Sequence, residues 1–93
     1  MSKAIVETVG RGINVFAHSS LKPNERDEVL EEAERVCRSE AEKHNRYQFV
    51  FETGLLRDKL GVTRWGFSVR IENGGATIIN AFATAVREHF QSE

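Results

Sequence analysis

The chain has 93 residues, 40% of them apolar and 29% charged, with one proline, one cysteine and a formal net charge of −1. That composition excludes a disordered chain, a single cysteine excludes an intramolecular disulfide, and near-zero net charge excludes a globally basic nucleic-acid binder. The opening MSKAIVETVGRG lacks the apolar run of a signal peptide or a membrane span, so a cytoplasmic protein without membrane contact is expected.

No repeat, low-complexity tract or linker-like run divides the chain, and residues 1–93 read as a single α+β domain. A domain of this size buries only roughly 60 to 65% of the surface its unfolded chain exposes, so covering a second face through association would add stability. Charge is uneven. Residues 22–43 carry five basic and eight acidic side chains, net −3, and residues 44–71 carry five basic and two acidic ones, net +3.

In chain order, KAIVETVGRGINVFAHS predicts two short strands around Gly10-Arg11-Gly12. With a two-residue turn, Ala4, Val6, Thr8, Ile13, Val15 and Ala17 share one face, and Ile5, Glu7, Asn14, Phe16 and His18 share the other. The segment from Lys22 to Asn45 predicts an amphipathic helix. Val29, Leu30, Ala33, Val36, Cys37 and Ala41 recur at helical spacing, Pro23 suits the first turn, and Asn45 suits a left-handed cap.

RYQFVFETGLLRDKLGVTRWGFSVRIE predicts a second, longer hairpin. Centring its loop on Asp58 pairs Tyr47 with Val69, Phe49 with Phe67 and Phe51 with Trp65 on a core face. The same register sets Gln48 opposite Ser68, Val50 opposite Gly66, Glu52 opposite Arg64 and Arg46 opposite Arg70 on the other face. At the tip, Leu55, Leu56 and Leu60 around Arg57-Asp58-Lys59 form either an apolar arm with a charged end or a short helical turn folded back over the core edge. GGATIINAFATAVREHFQ predicts a C-terminal helix on Ile78, Ile79, Phe82, Ala85, Val86 and Phe90, the competing reading being a strand at 76–79 with a helix from Asn80.

These elements assemble as β-β-α-β-β-α, a two-layer sandwich with a four-stranded antiparallel sheet and both helices on the face carrying Phe49, Phe51, Trp65 and Phe67. The opposite face then displays Ile5, Phe16 and Val50 among Arg46, Arg64 and Arg70, a mixture of apolar and arginine side chains typical of an interface. Glu52 is expected to satisfy Arg64. Arg70, facing Arg46, needs either Glu7 or a phosphate or carboxylate from elsewhere.

Other signals are weak. Asn73-Gly74-Gly75-Ala76-Thr77 lacks the complete spacing of a dinucleotide or phosphate loop, and Cys37 with His44 on one helix, with His18 and His89 scattered, does not make a zinc site. No catalytic constellation, cofactor or metal is expected, and the chain does not read as an enzyme. The reading is a small non-catalytic protein-binding module, an adaptor, regulator or inhibitor, forming a homodimer or binding a protein partner. Its contact residues are Ile5, Phe16, Val50, Arg46, Arg64, Arg70, Leu55, Leu56, Arg57 and Lys59. The alternative is a nucleic-acid-binding domain that presents Arg46, Arg64 and Arg70 to phosphates, with Phe16 for stacking and Arg57 and Lys59 at the tip.

Overall fold

Gly10 adopts φ 54°, as a two-residue turn opening on glycine requires. In the computed structural model, which describes residues 2–73 and 75–91, this turn joins β1 (Ala4–Val9) to β2 (Gly12–Ala17). Their antiparallel register sets Ile5 against Phe16 and Val6 against Val15, which keeps the two faces that the sequence predicts. A helix, α1 (Pro23–Lys43), follows, then β3 (Phe49–Arg57), β4 (Thr63–Ile71) and α2 (Ala76–Gln91). The strands form one antiparallel sheet in the order β1-β2-β4-β3, giving an α+β fold of β-β-α-β-β-α order.

Local chemistry sets the helix ends. Pro23 opens α1, and the Lys22 backbone N–H donates to Glu25 Oε1 at 3.1 Å. At the other end the His44 N–H donates to the Ala41 carbonyl at 3.1 Å, and Tyr47 N–H closes the turn on the His44 carbonyl. Asn45 is not in the left-handed region; among the described residues only glycines have positive φ. Helix α2 begins at Ala76, which settles residues 76–79 as helix. Ile78, Ile79, Phe82, Ala83, Val86 and Phe90 lie buried along one side of it, whereas a strand would have sent adjacent Ile78 and Ile79 to opposite faces.

The long hairpin departs from its expected register. Phe49 faces Ile71, Phe51 faces Val69, Thr53 faces Phe67 and Leu55 faces Trp65, about a loop centred on Leu60 rather than Asp58. Partners are displaced by four residues, an even number, so each side chain keeps its face while every pairing changes. The turn itself is the cause. Gly61 has φ 81°, its N–H donates to the Asp58 carbonyl at 3.0 Å, and Asp58 N–H donates to the Val62 carbonyl at 2.9 Å, a three-residue loop with glycine in its left-handed position. The Asp58 carboxylate also accepts the Leu60 and Val62 N–H groups, each at 2.9 Å.

One core cluster joins Ala4, Ile13, Val15, Ala17, Phe67, Val69 and Ile71 of the sheet to Val29, Leu30, Ala33 and Cys37 of α1 and to the buried side of α2. Both helices therefore pack on the face that bears these odd-numbered β2 and β4 side chains. Helix α1 lies against β2 and β4, and α2 against β1 and β2. Each fully buried side chain, such as Ile13, Val15, Phe67 or Phe82, contributes about 1.5–3 kcal/mol of transfer free energy. Among the described residues no helix is long and apolar enough to cross a membrane.

Candidate interaction surface

The sheet face turned away from the helices is organised in rows across the four strands. The registers set Val9, Gly12, Arg70 and Val50 in one row, Glu7, Asn14, Ser68 and Glu52 in the next, and Ile5, Phe16, Gly66 and Gly54 in the third. In this third row two glycines lie side by side next to an aromatic ring. A Cβ added at Gly66 would sit 2.9 Å from Phe16 Cδ1 and Cε1, so the ring lies across the space that glycine leaves.

The tip of the β3–β4 hairpin bends over this face. Lys59 N–H donates to Glu7 Oε2 at 3.3 Å, tying the tip to the far edge strand. Arg64 lies over the Phe16 ring at 4.8 Å, and its Nε is 3.3 Å from Asp58 Oδ2. As a result Phe16 is 0% exposed and Glu7 only 7%. The expectation that Phe16 offers itself to a partner or a base is therefore corrected: the ring is covered by the chain's own hairpin. Neither expected tip geometry holds: β3 stays extended to Arg57 instead of coiling back over the core edge, Leu55 and Leu60 remain 70% and 88% exposed, and the tip backbone closes over the face away from the helices.

The expected arginine cluster also does not form. Arg64 is half-buried and paired with Asp58, not with Glu52, which faces Ser68. Arg70 is exposed between Gly12 and Val50 and does not face Arg46, which lies in the turn before β3 and outside the sheet. Arg64 and Arg70 are separated along β4 by about 20 Å. Among the remaining predicted contacts, Ile5, Val50 and Leu56 are half-buried on the face away from the helices, and Arg57 and Lys59 are exposed at the end of β3 and in the tip. Leu55 belongs to β3, on the helix side of the sheet.

Besides Leu60 and Val62 at the tip and Val9 at the end of β1, the exposed large apolar side chains among the described residues are a pair on that helix side. Trp65, expected in the core, is 55% exposed beside its cross-strand partner Leu55 at 70%. Helix α1 passes over β2 and β4 and leaves the outer half of β3 uncovered. Trp65 and Leu30 line two adjoining grooves, of about 460 Å³ toward Ala17, Pro23 and Thr63 and about 170 Å³ toward Thr53. The smaller groove is walled by Asp27, Glu31 and Glu34 of α1. Further along, Arg38 stands over Phe51 at 4.6 Å.

The backbone of β3 is open as well. Glu72 N–H donates to the Gln48 carbonyl at 3.1 Å and Asp58 N–H to the Val62 carbonyl, so the even-numbered residues of β3 bond to β4. The N–H and C=O groups of Phe49, Phe51, Thr53, Leu55 and Arg57 then point outward along the sheet edge. The other edge, β1, is shorter, and Arg87 Nη2 donates to its Val6 carbonyl at 3.3 Å.

No family model, curated protein or solved structure matches this chain. The geometry therefore carries the functional argument by itself. Cys37 is buried and its thiol is pushed up to about 12, by burial first and then by the charges of Glu40 and Glu34, which keeps it protonated and unreactive at neutral pH. His44 Nε2 lies 3.2 Å from Glu40 Oε2 and His89 Nε2 lies 2.8 Å from Glu32 Oε1. Among the described residues no group of His, Cys, Asp and Glu is placed to hold a metal ion. The Asn73-Gly74-Gly75 motif includes Gly74, which lies outside the described residues.

Sequence reasoning missed the Leu55–Trp65 patch because alternation assigns a face and not its cover. Width was the available signal: the narrow, small-residue stripe of α1 covers β2 and β4 and cannot also roof β3.

Proposed function

We propose that this chain is a small non-catalytic protein-binding module, an adaptor, regulator or inhibitor, whose contact surface is the β3 edge with its Leu55–Trp65 patch. The observation that carries this reading is a nine-residue edge strand with outward backbone donors and acceptors, flanked by two large exposed apolar side chains. Long apolar edges template pairing with another chain, and proteins ordinarily blunt them with prolines, charges or bulges. Along Phe49-Val-Phe-Glu-Thr-Gly-Leu-Leu-Arg57 the charges are confined to Glu52 and Arg57. An added strand gains main-chain hydrogen bonds along β3, while Trp65 and Leu55 supply pockets for alternate side chains.

An affinity column carrying the chain tests this. Thr53→Pro removes an outward N–H without touching the β4 ladder, Leu55→Asp charges the patch, and Val9→Asp places the same charge at an exposed site on the opposite edge strand. A protein retained by wild type and by Val9→Asp but lost by the other two supports the reading. Retention indifferent to both β3 substitutions sinks it.

A further inference from the structure

We infer that the occupant of the β3 edge is a second copy of this chain, paired antiparallel across a two-fold axis through Thr53, so that two four-stranded sheets become one of eight strands. The inference rests on the protein-binding reading above and names its partner. Three properties of β3 carry it.

The first is hydrogen-bond phase. The outward groups belong to odd-numbered residues, and an axis through Thr53 matches odd residues with odd ones: Thr53 with itself, Phe51 with Leu55 and Phe49 with Arg57. Because Thr53 is the midpoint of Phe49–Arg57, the whole strand pairs without overhang.

The second is side-chain complementarity. On the helix side, exposed Leu55 of each copy falls beside half-buried Phe51 of the other; on the opposite side Val50 falls beside Leu56. An axis one residue earlier would set Glu52 against its own copy, a like-charge pair. An isologous interface needs such self-matching, and this axis provides it.

The third is charge. In each chain the acids Asp27 and Glu31 wall the groove at Thr53 and Trp65, while Glu34 beside them is already bonded to Arg38 at 2.9 Å, and Arg38 stands over Phe51. Antiparallel pairing brings the Trp65–Leu55 end of one copy to the Phe51 end of the other, so the acidic wall of each turns toward the partner's arginine. The apposition occurs twice by symmetry.

Sedimentation of the full chain over concentrations up to millimolar reads the association, together with oxidative cross-linking of Thr53→Cys. Wild type is expected to shift toward twice its 10.5 kDa mass as concentration rises. Thr53→Pro is expected to remain a single chain at every concentration with unchanged circular dichroism, its N–H being outside the β4 ladder. Across the axis the Cα atoms of a hydrogen-bonded pair are about 5.5 Å apart, within disulfide range. Thr53→Cys should therefore cross-link many-fold faster than Thr77→Cys, which sits at an exposed site in the first turn of α2, and buried Cys37 gives a silent background. A wild type that sediments as one chain throughout, a folded Thr53→Pro that still associates, or a Thr53→Cys no faster than Thr77→Cys overturns the inference. If the wild type is a single chain yet captures another protein in a Thr53→Pro-sensitive way, the binding reading stands and only the second copy falls; with no such capture, both fall.

Discussion

The Glu7 carboxylate holds the backbone of Lys59, 52 residues away, through a 3.3 Å hydrogen bond from the Lys59 N–H to Oε2. The contact joins the tip of one hairpin to the outer strand of the other, while the second oxygen of Glu7, Oε1, is buried without a partner. Glu7→Ala is expected to lower stability by about 1–3 kcal/mol in denaturant unfolding and to speed exchange of the Lys59 amide. Glu7→Gln retains an acceptor and removes the buried charge, so it should lose less. Unchanged protection of the Lys59 amide in Glu7→Ala would mean that the tip is held by other contacts.

The paired glycines of β3 and β4 should respond in opposite ways. A Cβ at Gly66 meets the Phe16 ring and the Val15 carbonyl at 2.9 Å, whereas one at Gly54 meets nothing within 4 Å. Gly66→Ala is expected to cost about 1–3 kcal/mol through forced repacking. Gly54→Ala should lie within about 0.5 kcal/mol of wild type. Thermal melts of the two variants side by side make the comparison, and equal losses would contradict it.

Phe16 contributes as an interior residue although it lies on the face away from the helices. Phe16→Ala should cost about 3–5 kcal/mol, the range for deleting a buried aromatic ring. Phe16→Glu buries a carboxylate under the hairpin tip and is expected to unfold the chain, so loss of association in that variant reports unfolding and not a lost contact. Circular dichroism beside sedimentation separates the two.

Alkaline pH should weaken the fold through Cys37. Its thiol, held at about 12 when folded, ionises near 8.5 in the unfolded chain, so above that pH the native state binds more protons than the unfolded one. The resulting stability is fully present below about pH 8.5 and is lost as pH rises toward 12, at a slope approaching 1.4 kcal/mol per pH unit. Cys37→Ala loses packing at neutral pH but should remove this slope. Parallel pH profiles for the two proteins would show that other groups set the alkaline limit.

Periodicity made much of the fold legible. Alternation in the first hairpin, with a two-residue turn, set the faces of β1 and β2, and helical spacing located α1 and α2. In the second hairpin alternation placed side chains on faces but left the pairing undetermined, since any even displacement satisfies it. The decisive signal was Asp58 with Gly61, a three-residue turn with its own chemistry. The contact surface was less legible because cover comes from tertiary structure. Nothing local announces that a hairpin tip will bend over Phe16, or that α1 will pass beside Trp65 without covering it. The Gly54–Gly66 pairing beside Phe16 is a hint, visible only once the register is known.

The unequal sheet edges limit how far such molecules assemble. Pairing that uses β3 of both copies leaves only β1 at each end of the joined sheet, and β1 has six residues with its Val6 carbonyl already taken by Arg87. Under the proposed pairing, growth would stop at a closed pair, because the next subunit would meet a shorter border with one carbonyl already engaged, and filaments would not be favoured.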